Sequence, residues 1–215
     1  MKIGVFDSGI GGKAIAQSIH LELPDADIFY VNDAVHVPYG NRSASEIVAL
    51  TDATIQPLLE SKCSVIVLAC NTVTAAAIDI LRNKYPNQKF IGLEPMVKTA
   101  ASMTKTKVVA ICATPFTLTS QRYQNLKDKY AAEITVLEPN CSEWALMIEE
   151  NTINDKKIEQ IIKTVCNDGA DVIVLACTHY HWIKKQIQSL VDKRTKVIDP
   201  SDAILRRIID IVNHH

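Results

Sequence analysis

Val65-Ile66-Val67-Leu68-Ala69-Cys70 recurs residue for residue as Val172-Ile173-Val174-Leu175-Ala176-Cys177, 107 positions later in a chain of 215 residues. Each copy is an apolar, β-branched run that stops at a cysteine. Each passes directly into small polar residues, Asn71-Thr72 after the first and Thr178-His179 after the second. A short apolar run bounded by polar turn residues reads as a strand buried in a parallel sheet. Ligands of open α/β sheets gather just beyond the carboxyl ends of such strands. The repeat therefore predicts an α/β fold of two pseudo-symmetric parallel-sheet lobes, with the active site in the cleft between them and a thiol on either side.

The remaining sequence alternates in the same way. Strand patterns lie at Ile3–Phe6, Ile28–Asn32, Val65–Ala69, Phe90–Leu93, Val108–Cys112, Glu133–Leu137, Val172–Ala176 and Lys196–Ile198. Helical patterns fall between them, at Lys13–Leu21, Ser45–Glu60, Ala75–Tyr85, Thr117–Tyr130, Ile158–Asp168 and His181–Val191. Ser43 and Glu46 have the spacing of a capping box. Such alternation argues for parallel sheets covered by helices. A looser echo, Lys2-Ile-Gly-Val-Phe-Asp-Ser against Lys107-Val-Val-Ala-Ile-Cys-Ala-Thr, supports duplication. The expected lobes are residues 1–100, carrying Cys70, and 101–215, carrying Cys177, with the last helix free to pack back on the first lobe.

Composition narrows the function class. At 47% hydrophobic and 22% charged residues, the chain has the make-up of an ordinary globular protein. The net charge is −1 and basic residues are scattered, so no nucleic-acid footprint emerges. No apolar stretch approaches the ~20 residues that span a bilayer, and Met1–Asp7 reads as a strand rather than a signal peptide. The expected location is the cytoplasm, where thiols stay reduced. Six cysteines without a C-x-x-C pair give no zinc pattern and no metal expectation. Cys63, Cys112 and Cys166 read as buried structural residues, and the terminal His214 and His215 carry no role.

Four loops carry the candidate chemistry. Asp7-Ser8-Gly9-Ile10-Gly11-Gly12 leaves a strand and opens a helix, offering backbone N–H groups to an anion. Its spacing is neither G-x-G-x-x-G nor a P-loop, and Asp7 suits an ammonium or a proton better than a phosphate. The competing reading of Asp7 is a helix cap. Val37-Pro38-Tyr39-Gly40-Asn41-Arg42-Ser43 is either a plain turn or a rigid loop with donors for a small polar ligand. Cys70-Asn71-Thr72 places a thiol at a helix N-terminus, which favours thiolate. Cys177-Thr178-His179-Tyr180 repeats this with an imidazole. A Cys–His pair alone resembles a thiol-protease nucleophile, but that reading leaves Cys70 without a purpose.

Two thiols in one cleft suit removal of an α-proton from one face of an amino acid and delivery of a proton to the other. With an ordinary pKa of about 8.5, a thiolate and a thiol coexist near neutral pH. Donors aimed at the carboxylate stabilise the developing carbanion, and Ser8, Asn71, Thr72 and Thr178 are of the right type.

On these residues the chain resembles the glutamate racemases of the cofactor-independent aspartate/glutamate racemase superfamily. The likeness runs through Phe6–Gly12, Val37–Gly40, Ala69–Thr72, Ala113-Thr114-Pro115-Phe116-Thr117 with Ser120 and Tyr123, and Cys177–Tyr180. It implies Cys70 and Cys177 as the proton-transfer residues, with Asp7 assisting the first and His179 the second. It implies that Ser8, Pro38, Tyr39, Gly40, Asn71, Thr72, Thr117, Thr178 and the pocket acid Glu149 bind substrate. It also implies an enzyme without cofactor, acting as a homodimer on a small amino acid to supply D-glutamate for peptidoglycan. Departures from the family pattern are His36 in place of an arginine, Glu143 and Trp144 within an otherwise apolar loop, His181 and Trp182 after Tyr180, and Asp199-Pro200-Ser201-Asp202 near the end. They leave open a racemase for aspartate or a broader set of amino acids. A non-catalytic ligand- or partner-binding protein on the same scaffold is the alternative from another class, and it has no need of two reactive thiols.

Overall fold

Both copies of the repeat form strands, and each holds the same place in its own sheet. The computed structural model describes residues 1–213, so His214 and His215 lie outside the described residues. The first half runs β1 (Lys2–Asp7), α1 (Gly12–Glu22), β2 (Asp27–Asn32), a 3-10 turn (Tyr39–Asn41), α2 (Ala44–Thr54), α3 (Gln56–Glu60), β3 (Val65–Leu68), α4 (Asn71–Lys84) and β4 (Lys89–Gly92). The second runs α5 (Val97–Met103), β5 (Val108–Cys112), α6 (Pro115–Thr119), α7 (Gln121–Tyr130), β6 (Thr135–Leu137), α8 (Trp144–Glu149), α9 (Asp155–Asn167), β7 (Val172–Leu175), a 3-10 stretch (Thr178–Ile183), α10 (Lys184–Leu190) and β8 (Lys196–Ile198). Helix α11 (Ser201–Asn213) follows.

The sheets have strand orders β2-β1-β3-β4 and β6-β5-β7-β8, parallel throughout. The two orders are one pattern used twice, so β3 and β7, which precede Cys70 and Cys177, are equivalent inner strands. All four residues of each are buried, and full burial of a Val, Ile or Leu side chain contributes about 1.5–3 kcal/mol.

The chain divides into one unit of residues 1–93 with the segment from Pro200 onward, and a second of Glu94–Asp199. The expected 100/101 boundary falls inside α5. That helix belongs with the second sheet because Val97 and Ala100 pack with Val109, Val174 and Tyr123. Helix α11 belongs with the first sheet, where Ile204 and Ile208 join Ile15, Ile19, Ile91 and Leu93. In the second unit the strands alternate: Ala110, Cys112, Ile173 and Leu175 face one apolar layer, Val109, Ile111, Val172 and Val174 the other.

Several helices begin or break where local chemistry requires it. Ser43 and Glu46 form a full capping box on α2. The run 45–60 divides at Ile55, with Pro57 in the first turn of α3. Ser120 accepts the Tyr123 N–H and starts α7 afresh, splitting the pattern 117–130. Helix α4 begins at Asn71 rather than Ala75, with the extended Cys70 as its N-cap residue. Among the described residues no helix is long and apolar enough to cross a membrane.

Candidate active site

In the first unit, the carboxyl ends of β1, β2 and β3 bring together Asp7, Ser8, Asp33 and Cys70. Asp7 is fully buried, and its Oδ2 accepts the N–H groups of Gly9 (3.1 Å) and Gly12 (2.9 Å). The side chain thus closes the start of α1, and two N–H groups that a phosphate would need are already engaged. Gly12 permits this approach, since a Cβ there would stand 2.5 Å from Asp7 Cβ. Ser8 Oγ and Cys70 Sγ share a hydrogen bond at 3.3 Å. Cys70 is 6% exposed, at the first turn of α4, where the peptide dipoles favour a negative charge.

Asn71 and Thr72 follow within the same first turn, both buried. Among the described residues, neither the Nδ2 nor the Oδ1 of Asn71 has a hydrogen-bond partner. An unpaired buried amide costs about 1–3 kcal/mol, a cost that a polar ligand carrying both donor and acceptor groups removes.

The 3-10 turn carrying Tyr39 and Gly40, preceded by Pro38, packs against α4. Tyr39 is buried and its hydroxyl donates to Asp33 Oδ2 at 2.7 Å. Burial first, then the Asp33 hydrogen bond and charge, hold the phenol far above its ordinary range. His36 Nδ1 lies 2.8 and 2.9 Å from the two Asp33 oxygens, and Arg42 Nε donates to the His36 carbonyl oxygen at 2.8 Å. Asp33 was not among the expected site residues. Its available signal was a charged residue immediately beyond a strand, as with Asp7.

In the second unit, Cys177 lies two residues beyond the end of β7 at Leu175, and Thr178 opens the 3-10 stretch; both are buried. Cys177 Sγ lies 3.8 Å from His179 Nδ1, and His179 Nε2 lies 2.6 Å from Glu149 Oε1 on α8. A carboxylate only accepts, so the Nε2 proton points to Glu149, and Nδ1 faces the thiol. The resulting Cys–His–carboxylate line is 5% and 14% exposed at the side chains of His179 and Glu149. Glu149, expected to line the pocket for substrate, is thus placed against the imidazole.

Tyr180 packs edge-on against Trp144, with centroids 5.2 Å apart, and donates to the Cys141 carbonyl oxygen at 2.9 Å. Burial pushes the Cys141 thiol far up, as do its hydrogen bond with Cys112 and the nearby Cys112 and Cys177. Cys141 and Cys112 are therefore apolar packing around Cys177. Trp144, on this layer, is core rather than rim. Thr117 is buried on α6, its Oγ1 3.0 Å from that of Thr114. His181 and Lys184 approach the buried Asp199 at 3.5 and 2.7 Å, and Trp182 remains half-exposed.

A cavity of about 530 Å³ opens at the opposite ends of β5, β7 and β8, among Lys105, Thr106, Cys166, Asp171, Asp192 and Lys196. No residue of the Cys177 constellation lines it. Among the described residues, no group of three His, Cys, Asp or Glu side chains converges as metal ligands would.

The chain matches the Asp/Glu/Hydantoin racemase family over residues 12–208. A glutamate racemase of Sulfurovum sp. (strain NBC37-1) is 36% identical, the match covering 97% of this chain and 82% of that one. The crystal structure of Escherichia coli glutamate racemase in complex with L-glutamate and the activator UDP-MurNAc-Ala matches with a TM-score of 0.90 at 27% identity, covering 100% of this chain and 83% of that one. The Francisella tularensis enzyme in complex with D-glutamate matches with a TM-score of 0.83 at 31% identity, covering 99% and 81%.

Proposed function

Since the chain belongs to the Asp/Glu/Hydantoin racemase family, and within it to the glutamate racemases, we propose that it interconverts L- and D-glutamate by proton transfer between the α-carbon and two thiols. In one direction a thiolate takes the α-proton, the C–H electron pair passes into the carboxylate, and the thiol on the opposite face returns a proton to the carbon. One sulfur ends protonated and the other deprotonated, so atoms and charge balance and no cofactor enters. The reverse direction exchanges the two roles.

The observation that carries this reading is the equivalence of Cys70 and Cys177: each follows the third strand of an identical sheet pattern, buried and beside its own polar assistant. Ser8 shares a proton with Cys70, and His179, oriented by Glu149, faces Cys177. A lone thiol nucleophile would need only one such arrangement. Carbanion formation needs donors at the substrate carboxylate, and removing one such donor typically costs about 3–4 kcal/mol of barrier. Asn71, with both amide atoms unpartnered among the described residues, is the best-placed candidate. Ser8, Thr72, Thr117 and Thr178 are further members, and Tyr39–Gly40 shape the site. Relatives solved with L- and with D-glutamate support glutamate over aspartate. On the same reading the enzyme works as a homodimer in the cytoplasm, and its D-glutamate feeds peptidoglycan synthesis.

The test is circular dichroism of L-glutamate, D-glutamate and L-aspartate incubated separately with reduced enzyme and no added cofactor. Decay of both glutamate signals to zero, with aspartate unchanged, supports the reading. Stable signals for both glutamate enantiomers from folded, reduced protein refute it.

A further inference from the structure

The Gly9 carbonyl oxygen receives two side-chain donors from the neighbouring strand, the Tyr30 hydroxyl at 2.8 Å and Asn32 Nδ2 at 3.2 Å. Tyr30 and Asn32 stand two residues apart on β2 and so share a face of the sheet. The Tyr30 ring packs against the layer of Ile3, Val5, Ile15 and Ile19, which fixes where its hydroxyl sits. A carbonyl oxygen has two lone pairs, and both are engaged here. One atom group earlier, the Gly9 N–H donates to Asp7 Oδ2 at 3.1 Å. The peptide groups on both sides of Gly9 are thus held. With glycine at 9, 11 and 12, the loop has few side chains of its own to pack. Ser8, immediately before this clamp, brings its Oγ to 3.3 Å from Cys70 Sγ.

We propose that Tyr30 and Asn32 are positioning residues for Ser8: their grip on the Gly9 carbonyl oxygen keeps Ser8 Oγ within hydrogen-bond reach of Cys70. A Cys70 that has lost its proton only accepts, so Ser8 then donates to it. A hydrogen bond to the charged form of a group favours that form, so a well-placed Ser8 sustains the thiolate. The strand order supplies the route, since β1 lies between β2 and β3. Side chains of β2 hold the loop that follows β1, and that loop meets the thiol that follows β3. The consequence for proton transfer rests on the racemase reading; the effect on the Cys70 thiol does not.

The test reads Cys70 itself, as the pH dependence of its alkylation by iodoacetamide in purified full-length protein, followed by mass spectrometry of the Cys70 peptide. Ser8→Ala is expected to raise the midpoint by about one pH unit, the loss of one hydrogen bond to a charged group. Tyr30→Phe removes only the hydroxyl and is expected to raise it by about half a unit. Adding Asn32→Ala is expected to carry the midpoint further toward the Ser8→Ala value. In a Ser8→Ala background, Tyr30→Phe is expected to add nothing, because no serine remains to be misplaced. Asp7, Asp33 and Tyr39, the other titratable side chains at these strand ends, are the same in every variant. An unmoved midpoint in Ser8→Ala or in Tyr30→Phe overturns the proposal, as does a Tyr30→Phe shift that persists in full without Ser8. If Tyr30→Phe does not fold, Asn32→Ala is carried through the same comparison. If neither folds, the two side chains serve folding alone and the proposal falls. Glutamate racemisation by the same proteins separates the two readings. Inactive wild type with the expected shifts refutes the racemase reading and supports the clamp, whereas active wild type with unmoved midpoints refutes the clamp alone.

Discussion

Glu149 Oε1 accepts the His179 Nε2 proton at 2.6 Å, which turns the other ring nitrogen, Nδ1, toward Cys177 at 3.8 Å. The imidazole is thereby fixed in rotation and in tautomer, the service a carboxylate gives the base of a nucleophile–base pair. Glu149→Gln removes the charge and keeps the size. It is expected to lower kcat about tenfold or more, less than the ~10²–10⁴ that a general acid or base supplies directly. The two enantiomers are isoenergetic, so kcat/KM must fall equally from either side. The loss is expected to appear unequally in the separate kcat and KM values, measured by circular dichroism from pure L- and pure D-glutamate. Equal losses in kcat would place Glu149 outside the Cys177 half of the reaction.

The two thiols themselves give the largest effects. Cys70→Ser and Cys177→Ser are each expected to reduce racemisation by about 10²–10⁴-fold, since a serine hydroxyl supplies neither base nor acid near neutral pH. Each variant keeps one working thiol and is expected still to exchange the α-proton of a single enantiomer with solvent. Proton NMR in heavy water checks this. Racemisation at near wild-type rate by either variant would exclude the two-thiol scheme.

Gly12 sets the seat of Asp7. A methyl group there would meet Asp7 Cβ at 2.5 Å, Asp7 Cγ at 3.1 Å and Ala69 Cβ at 3.2 Å, none of them the end of a flexible chain. Gly12→Ala is expected to destabilise the protein by about 1–3 kcal/mol, the usual cost of overpacking, and to lower kcat by displacing Asp7. Urea unfolding with a parallel rate measurement checks both effects, and unchanged stability would show that α1 shifts freely.

Asp171, just before β7, accepts the Lys105 N–H at 2.6 Å, the Thr106 N–H at 3.1 Å and the Thr104 hydroxyl. Burial alone would raise its carboxyl, but these hydrogen bonds outweigh burial and hold it below the ordinary range. A carboxyl depressed by folding stabilises the native state above its unfolded pKa of about 3.9 and loses that contribution as pH falls through the folded value. Asp171→Asn is expected to be destabilised at pH 7, with the deficit shrinking below about pH 4. Urea midpoints for both proteins across that range check it, and a deficit independent of pH would assign the effect to packing alone.

Strands were the most legible part of the sequence, because a buried parallel strand is an uninterrupted β-branched run. The limits of β5 and β8 match the expected ones, and Val65–Leu68 and Val172–Leu175 differ by a single residue. Helix starts were harder to place. Asn71 and Thr72 have low helix propensity, yet they occupy the first turn of α4, where N-terminal backbone groups rather than propensity decide. The short α8 shows too little periodicity to stand out, although it carries Glu149. In the site, the thiols and their immediate neighbours were readable because they are adjacent in sequence. The partners of Glu149 and Asp33 were not: Glu149 meets His179 across 30 residues, and Asp33 meets Tyr39 only through the path of an irregular loop. Contacts of that kind are chosen by the folded chain, not by local pattern.

The most direct measurement of two-thiol chemistry is the fate of the α-hydrogen at low conversion in heavy water, starting from fully protonated L-glutamate and repeated from D-glutamate. The account predicts deuterium in every product molecule formed, with the unreacted substrate still protonated, because one sulfur accepts the substrate proton and the other delivers a solvent-derived deuteron. Product that retains the original proton would mean a single group serves both faces, and would contradict the account.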